Sequence, residues 1–203
     1  MEHAANQIQL RGTLHTLPVF SHENHGKRFF SFFLQVPRLS GTVDILPLIC
    51  EEKILSETSL NSGSCFFVSG QIRSHNMRTT GKRHLMIFVF VQKLLCEDGP
   101  PINDVIVEGP ICREPIYRRT PLGREICDVM LAVPRAFHRA DYLPCILWGR
   151  TANEASQCHT RDIIRIYGRL QSRTYNKVTE TGSEERTAYE ISTLSANIPT
   201  DMY

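Results

Sequence analysis

Apolar and polar positions alternate along most of this chain with a period of two, the pattern of strands with one buried face. Ile8, Leu10 and Leu14, broken by Gly12, predict a first strand with a glycine kink. Residues 28–36 (RFFSFFLQV) and 43–50 predict a second and a third, after a polar turn at 22–27 around Gly26. Residues 51–60 are polar with spaced Ile54, Leu55 and Leu60 and run into Asn61 and Gly63, which predicts a short helix with a C-terminal stop. A fourth strand at 65–74, a basic turn at 76–82 and a fifth strand at 85–91 (LMIFVFV) follow. The fifth is apolar on both faces, which predicts that the rest of the chain or a second chain covers it.

The same order then returns. Val105, Val107 and Ile111 mark a first strand, 125–133 a second and 142–148 a third. Residues 151–158 predict the helix, 163–175 the fourth strand and 188–194 the fifth, with a turn at 118–123 and a long polar loop at 176–187. An offset of 97 residues pairs Asn6 with Asn103, Gly12 with Gly109, Pro18 with Pro115, Gly26 with Gly123, Asp44 with Asp141 and Leu46-Pro47 with Leu143-Pro144. A one-residue slip then pairs Gly70 with Gly168 and Ser74 with Ser172. Coincident Gly and Pro positions mark backbone geometry rather than composition, so the chain is a tandem duplication of a domain-sized unit. Three strands, a short helix and two strands is the order of an OB-fold, a five-stranded Greek-key barrel. The fold expected is all-β: two tandem OB-folds, each with a short helix between strands 3 and 4. Glu97, Asp98, Gly99, Pro100 and Pro101 bring charge, Gly and two prolines together between periodic segments. The expected division is copy one at 1–98, a linker at 99–102 and copy two at 103–203. Pro47 and Pro144 fall inside third strands and cannot donate to a ladder, so each is expected at an edge or bulge.

Composition changes this picture little. Residues 1–102 carry ten basic and eight acidic side chains, and residues 103–203 carry thirteen of each. Bulk charge therefore identifies no partner, and only local patterning can. The seven cysteines are scattered without a C-x-x-C pair, which suits buried thiols in a reducing compartment. No signal-peptide pattern opens the chain and no apolar run is long enough to span a bilayer, so a cytoplasmic protein without membrane contact is expected.

The local patterning lies in copy two. In the third strand Tyr142, Pro144, Ile146 and Trp148 share one face, and Arg150 follows with the same parity. In the fourth strand Arg165, Tyr167, Arg169, Gln171, Arg173 and Tyr175 share one face while Ile164, Ile166, Gly168 and Leu170 share the other. Rings stack on bases and guanidinium groups neutralise phosphates, so such a ladder suits a single strand of any sequence. An ordinary strand buried on both sides, or a solvated arginine face, is the plainer alternative.

Copy two also resembles the bacterial single-stranded DNA-binding proteins. The resemblance runs through Asn103-x-Val105-x-Val107-x-Gly109, Pro115-x-Tyr117-Arg118, Gly123, Leu131-Ala132-Val133, Trp148-Gly149-Arg150-x-Ala152 and Gly168-Arg169-Leu170-Gln171-Ser172-Arg173-x-Tyr175. It implies base stacking on Phe137, Tyr142, Trp148 and Tyr175. Copy one has Ser40, Ile45, Glu51 and Met77 at those places, so the resemblance implies a degenerate copy that serves assembly. Arg150, Arg165, Tyr167, Arg169, Arg173 and Lys177 complete the expected nucleic-acid-binding set. The expected function is sequence-tolerant binding of single-stranded DNA in replication, recombination or repair, without catalysis, cofactor or metal. The resemblance further implies a homodimer with four OB-folds in all. DNA and RNA are not separated by the sequence. The alternative is an OB-fold protein-interaction module of a replication or mobile-element complex. Two rival constellations are weaker: His22 and His25 are spaced as metal ligands without a second pair, and Cys158-His159 beside Asp162 is adjacency rather than triad geometry.

Overall fold

The computed structural model describes residues 6–58, 60–61, 63–79, 82–179 and 182–198, with backbone alone at 78–79, 82–83 and 177–179. Copy one contains β1 (Asn6–Leu14), β2 (Val19–Asn24), β3 (Lys27–Pro37), β4 (Val43–Glu51), α1 (Glu52–Ser56), β5 (Cys65–Thr79) and β6 (Lys82–Cys96). Copy two repeats them as β7 (Ile102–Pro110), β8 (Ile116–Arg119), β9 (Glu125–Arg135), β10 (Arg139–Trp148), α2 (Gly149–Ala155), β11 (Ile163–Thr179) and β12 (Gly182–Asn197). In copy one β3, β4, β6, β5 and β1 are neighbours in that order, and Leu14 opposite Leu34 closes the ring. Copy two closes the same ring through a bridge between Ile111 and Leu131. These are two OB barrels in tandem, each with a short helix between its third and fourth principal strands.

Two features differ from the sequence expectation. The polar turns at 22–27 and 118–123 belong to arms in which an additional short strand, β2 or β8, pairs with the start of β3 or β9. Both short strands are fully exposed, so no hydrophobic alternation marks them. Gly26 and Gly123 turn these arms at φ +72° and +78°, a conformation in which any Cβ is strained. Second, the segments at 76–82 and 176–187 are largely strand: β5 pairs with β6 out to Thr79 and Lys82, and β11 with β12 out to Thr179 and Gly182. Residues 75–77, 176 and 182–185 of these hairpins are exposed, and polar residues without a buried face read as loop.

The core explains the alternation. Ile8, Leu10, Leu34, Leu46, Leu48, Val68, Ile72 and Val89 are fully buried in copy one, as are Val107, Leu131, Val133, Leu143, Ile164, Ile166 and Leu170 in copy two. Burial pushes the Cys50 thiol up to about 12, with Glu51 adding to it, and the Cys127 thiol up to about 11. These groups behave as small hydrophobes. Gly70 and Gly168 lie where one strand presses on another: a Cβ there would strike the carbonyl oxygen of Phe90 or of Ser192. At Pro47 and Pro144 the strand has a partner on one side only, because the parallel bridges to β6 and β12 begin one residue later, at Leu48 and Cys145. The missing donor is thereby tolerated.

The two barrels are not independent. β1 pairs antiparallel with β7, and Ile8 lies opposite Val105, its own counterpart in the duplication. This register makes an approximate twofold axis inside one chain and joins all twelve strands into a continuous sheet. Asn6 exchanges two hydrogen bonds with the backbone of Ile72 (2.7 and 2.9 Å), and Asn103 does the same with Leu170 (2.8 and 2.9 Å). Across the axis the fully buried carboxylate of Asp44 accepts from Ser172 N–H (2.7 Å), Ser172 Oγ (3.0 Å) and the Arg38 guanidinium (2.6 and 2.7 Å). Asp141 accepts from Ser74 N–H (2.7 Å), Arg73 (3.0 Å) and Arg135 (3.3 Å). Each acid of the duplicated Asp44/Asp141 pair thus holds the duplicated serine of the other copy, and no sequence periodicity announces that exchange.

Candidate nucleic-acid interface

The face is built from the outward residues of β9, β10, β12 and β11. On β10, Leu143, Cys145 and Leu147 point into the core and are fully buried. Tyr142, Pro144, Ile146 and Trp148 therefore point outward, as the period of two requires. Ile146 is almost covered, whereas Tyr142 and Trp148 are 43% and 39% exposed. The Trp148 indole N–H donates to Ser192 Oγ on β12 at 3.1 Å, which tethers the ring to the neighbouring strand while part of it stays exposed. Phe137 stands at the tip of the turn between β9 and β10, 89% exposed, with φ +60°. Arg173 lies over the Tyr175 ring at 5.6 Å and pairs with Glu190 at 3.5 Å.

The ladder along β11 is divided. Arg173 and Tyr175 stand on the part that leaves the barrel, and Arg165 and Tyr167 on the part held between β7 and β12. Arg165 is nearly buried, pairs with Glu108 at 3.4 Å and covers Tyr167 at 5.7 Å. Tyr167 lies opposite Ile106, towards the middle of the central sheet. Arg169 lines a small hollow with Pro37, Arg38 and Leu39 of copy one. Arg150 opens α2, fully extended into solvent and paired with Glu154 at 2.7 Å. The side chain of Lys177 lies outside the described residues. Strand parity places Arg165, Tyr167, Arg169, Arg173 and Tyr175 on the side away from the core, but it could not show that the strand passes from the central sheet to a free arm.

Tyr175 also has unexpected neighbours. Beyond Ser172 the strand runs against copy one, and Arg38 donates to Ser172 O at 2.9 Å. Tyr175, Pro144 and Tyr189 of copy two share a groove of about 530 Å³ with Phe33, Pro47, Met77 and Met86 of copy one. The groove lies on the approximate twofold axis, since Tyr175 and Met77, and Pro144 and Pro47, are counterparts.

The rival constellations come apart. His22 stacks on Phe29 at 5.0 Å and 12° between planes, with Ser21 Oγ at 3.0 Å from its Nδ1. Cys158 is buried while His159 points into solvent, 3.6 Å from Glu114, and Asp162 accepts from the His159 backbone N–H at 2.7 Å. Among the described residues, no cluster of three His, Cys, Asp or Glu is placed to hold a metal ion, and no helix is long and apolar enough to cross a membrane.

The whole chain superposes on the crystal structure of the wild-type single-stranded DNA binding protein from Thermus aquaticus with a TM-score of 0.76, covering 96% of this chain and 93% of that one at 23% identity. That likeness concerns the fold. Single-stranded DNA-binding protein B of Bacillus subtilis is 36% identical over 80 residues, which span 36% of this chain and 71% of that protein. The single-stranded DNA-binding protein of Bacillus cereus is 30% identical over 104 residues, or 48% of this chain and 58% of that one. A family model described as "Single-strand binding protein family" matches residues 102–198, which is copy two from the start of β7 to one residue past the end of β12. By this match and by its share of the Bacillus subtilis protein, the chain belongs to the single-strand binding protein family.

Proposed function

We propose that copy two binds single-stranded DNA with little regard to sequence, as the Bacillus relatives are named for doing, and that it acts so in replication, recombination or repair, as a cytoplasmic protein without catalysis. The observation that carries this reading is Trp148, a half-exposed ring tethered by its N–H to Ser192, whose exposed surface can take a base. A preoriented ring loses little conformational freedom on binding, and stacking is indifferent to base identity. Tyr142 on the same strand, Phe137 at the β9–β10 turn and Tyr175 on the arm extend the stacking surface. Arg173, and Lys177 by position, supply phosphate contacts; Arg150 supplies one at the start of α2. Arg165, Tyr167 and Arg169 stand nearer the central sheet and contact only a strand that wraps round the barrel edge.

The duplication already gives one chain the two barrels of a dimer. Two chains would bring four OB-folds together, and the outer face of the central sheet suits that contact. It presents the half-buried Phe67, with Arg11 5.7 Å over its ring, and, further along the sheet, the cross-strand pair Ile106 and Tyr167. The strand with two apolar faces does not require the second chain for its inner side, because Ile87, Val89 and Val91 are buried in its own barrel.

Trp148 is the sole tryptophan, so its fluorescence reports copy two. Titration with oligo-dT at low salt should quench it. Absence of quenching would favour the protein-interaction module instead.

A further inference from the structure

The outward face of copy one carries rings at places where copy two has none. The parallel bridges fix the correspondence: Ile49 lies opposite Phe90 on β6 as Ile146 lies opposite Ser192 on β12. Phe90 therefore holds the place of Ser192. Phe88, opposite Arg73, holds the place of Glu190, opposite Gln171. In copy two Trp148, at the end of β10, reaches across to Ser192 on the neighbouring strand β12. In copy one the counterpart of Trp148 is Glu51, and the ring comes from Phe90 itself. The same patch of the barrel is covered by an aromatic ring in both copies, carried on β10 in one and on β6 in the other.

The surroundings of Phe90 are those of a stacking platform rather than of plain core. Arg73, whose guanidinium is held by Asp141 at 3.0 Å, stands over its ring at 5.9 Å, and Phe29 packs on it at 6.0 Å with His22 stacked on Phe29 in turn. Phe88 and Phe90 are both half-buried. Lys27 and Arg28 lie at the rim, paired with Glu51 and Glu52 at 3.0 and 2.6 Å. Exposed pairs of this kind are weak, so a phosphate can exchange for the carboxylate. The groove on the twofold axis joins this face to that of copy two, since Phe33 and Pro47 share it with Tyr175 and Pro144.

We propose that this face of copy one is a second binding surface for single-stranded nucleic acid, with bases stacked on Phe88 and Phe90 and Lys27 and Arg28 at the rim as the cations for phosphate. Rings interleaved with guanidinium groups suit bases and phosphates, whereas the apolar core of a protein–protein contact is depleted of charge. The proposal rests on the stacking reading of copy two and extends it, so that one strand crosses the groove and occupies both copies.

The test is the stoichiometry of the full chain with an oligo-dT just long enough for one face, at low salt and protein well above the dissociation constant. The wild type should take up two oligonucleotides per chain. The double variant F88A/F90S should take up one, with the Trp148 quench by that one unchanged. Serine at position 90 is what copy two carries at the same place, so the barrel accommodates it, and circular dichroism checks this. For an oligonucleotide spanning both faces, the double variant should bind about 5- to 150-fold more weakly. One oligonucleotide per wild-type chain with normal quenching overturns this proposal and leaves the copy-two reading standing. Unchanged uptake, with a dimer turned to monomer in sedimentation, makes the face an assembly surface and equally overturns it. No quenching and no uptake by the wild type removes both.

Discussion

Trp148 and Glu51 end the third principal strand of their respective barrels, one residue before the helix, both with extended backbone. One is a ring tethered to Ser192; the other is a carboxylate 3.0 Å from Lys27. Asp141 and Asp44, a few residues upstream on the same strands, are the same residue doing the same thing, each holding a serine of the opposite copy. The duplication has thus kept what holds the copies together and varied what they show to solvent. A buried carboxylate surrounded by donors tolerates no replacement without leaving those donors unsatisfied, whereas an outward side chain answers only to its ligand.

The largest effect should come from the kept part. Asp44→Ala and Asp141→Ala each strand at least one guanidinium and one serine N–H at the junction, and breaking such a buried pair costs about 3–5 kcal/mol. Asp141→Ala should be the more damaging, because it leaves both Arg73 and Arg135 without their acid. Urea denaturation measures this directly. Because the two cores are continuous and β1 pairs with β7, the loss should appear in a single transition rather than in one copy's half of a biphasic curve. A biphasic curve would show that the copies unfold separately.

A middle-sized effect should separate the varied parts. Trp148→Ala should weaken oligo-dT binding about 5- to 150-fold, from roughly 1–3 kcal/mol per stacked base. Glu51→Ala at the matched position should not weaken it, since it removes no ring and frees Lys27. Equal losses at the two positions would mean that the barrels bind alike despite their different residues.

How far the sequence reveals this differs between the same two parts. The alternation of Leu143, Cys145 and Leu147 with Tyr142, Pro144 and Trp148 is enough to place the outward rings, because strand parity is set by the backbone alone. The barrel order is legible for the same reason. The exchange of Asp44 and Asp141 between copies is not, although both stand in the repeat, because a contact across 128 positions leaves no local periodicity. The division of the β11 ladder is hidden too: parity continues unbroken from Arg165 to Tyr175 while the strand changes neighbours from β7 to copy one. The position-by-position comparison behind the degenerate reading of copy one does not register Phe90, because a ring on the adjacent strand is invisible to a fixed offset.

The smallest effect concerns charge and needs a readout other than affinity. Arg173 stands on the copy-two arm, and its counterpart in copy one is His75. A guanidinium that neutralises one phosphate releases condensed counterions, so its removal should lower the slope of log affinity against log salt by roughly 0.7 for a single strand. Arg173→Ala also leaves Glu190, 3.5 Å away and mostly covered, without its partner, and this extra repulsion would weaken binding even if Arg173 touched no phosphate. The slope separates the two causes. Loss of a phosphate contact reduces it, whereas a bare carboxylate mainly shifts the line. Glu190→Gln provides the control: it frees Arg173 for the strand, so affinity should rise while the slope keeps its wild-type value. His75→Ala should leave slope and affinity unchanged at neutral pH. An unchanged slope in Arg173→Ala would assign the arginine to holding Glu190 and Tyr175 in place, and the phosphates of a bound strand would then lie elsewhere on the arm.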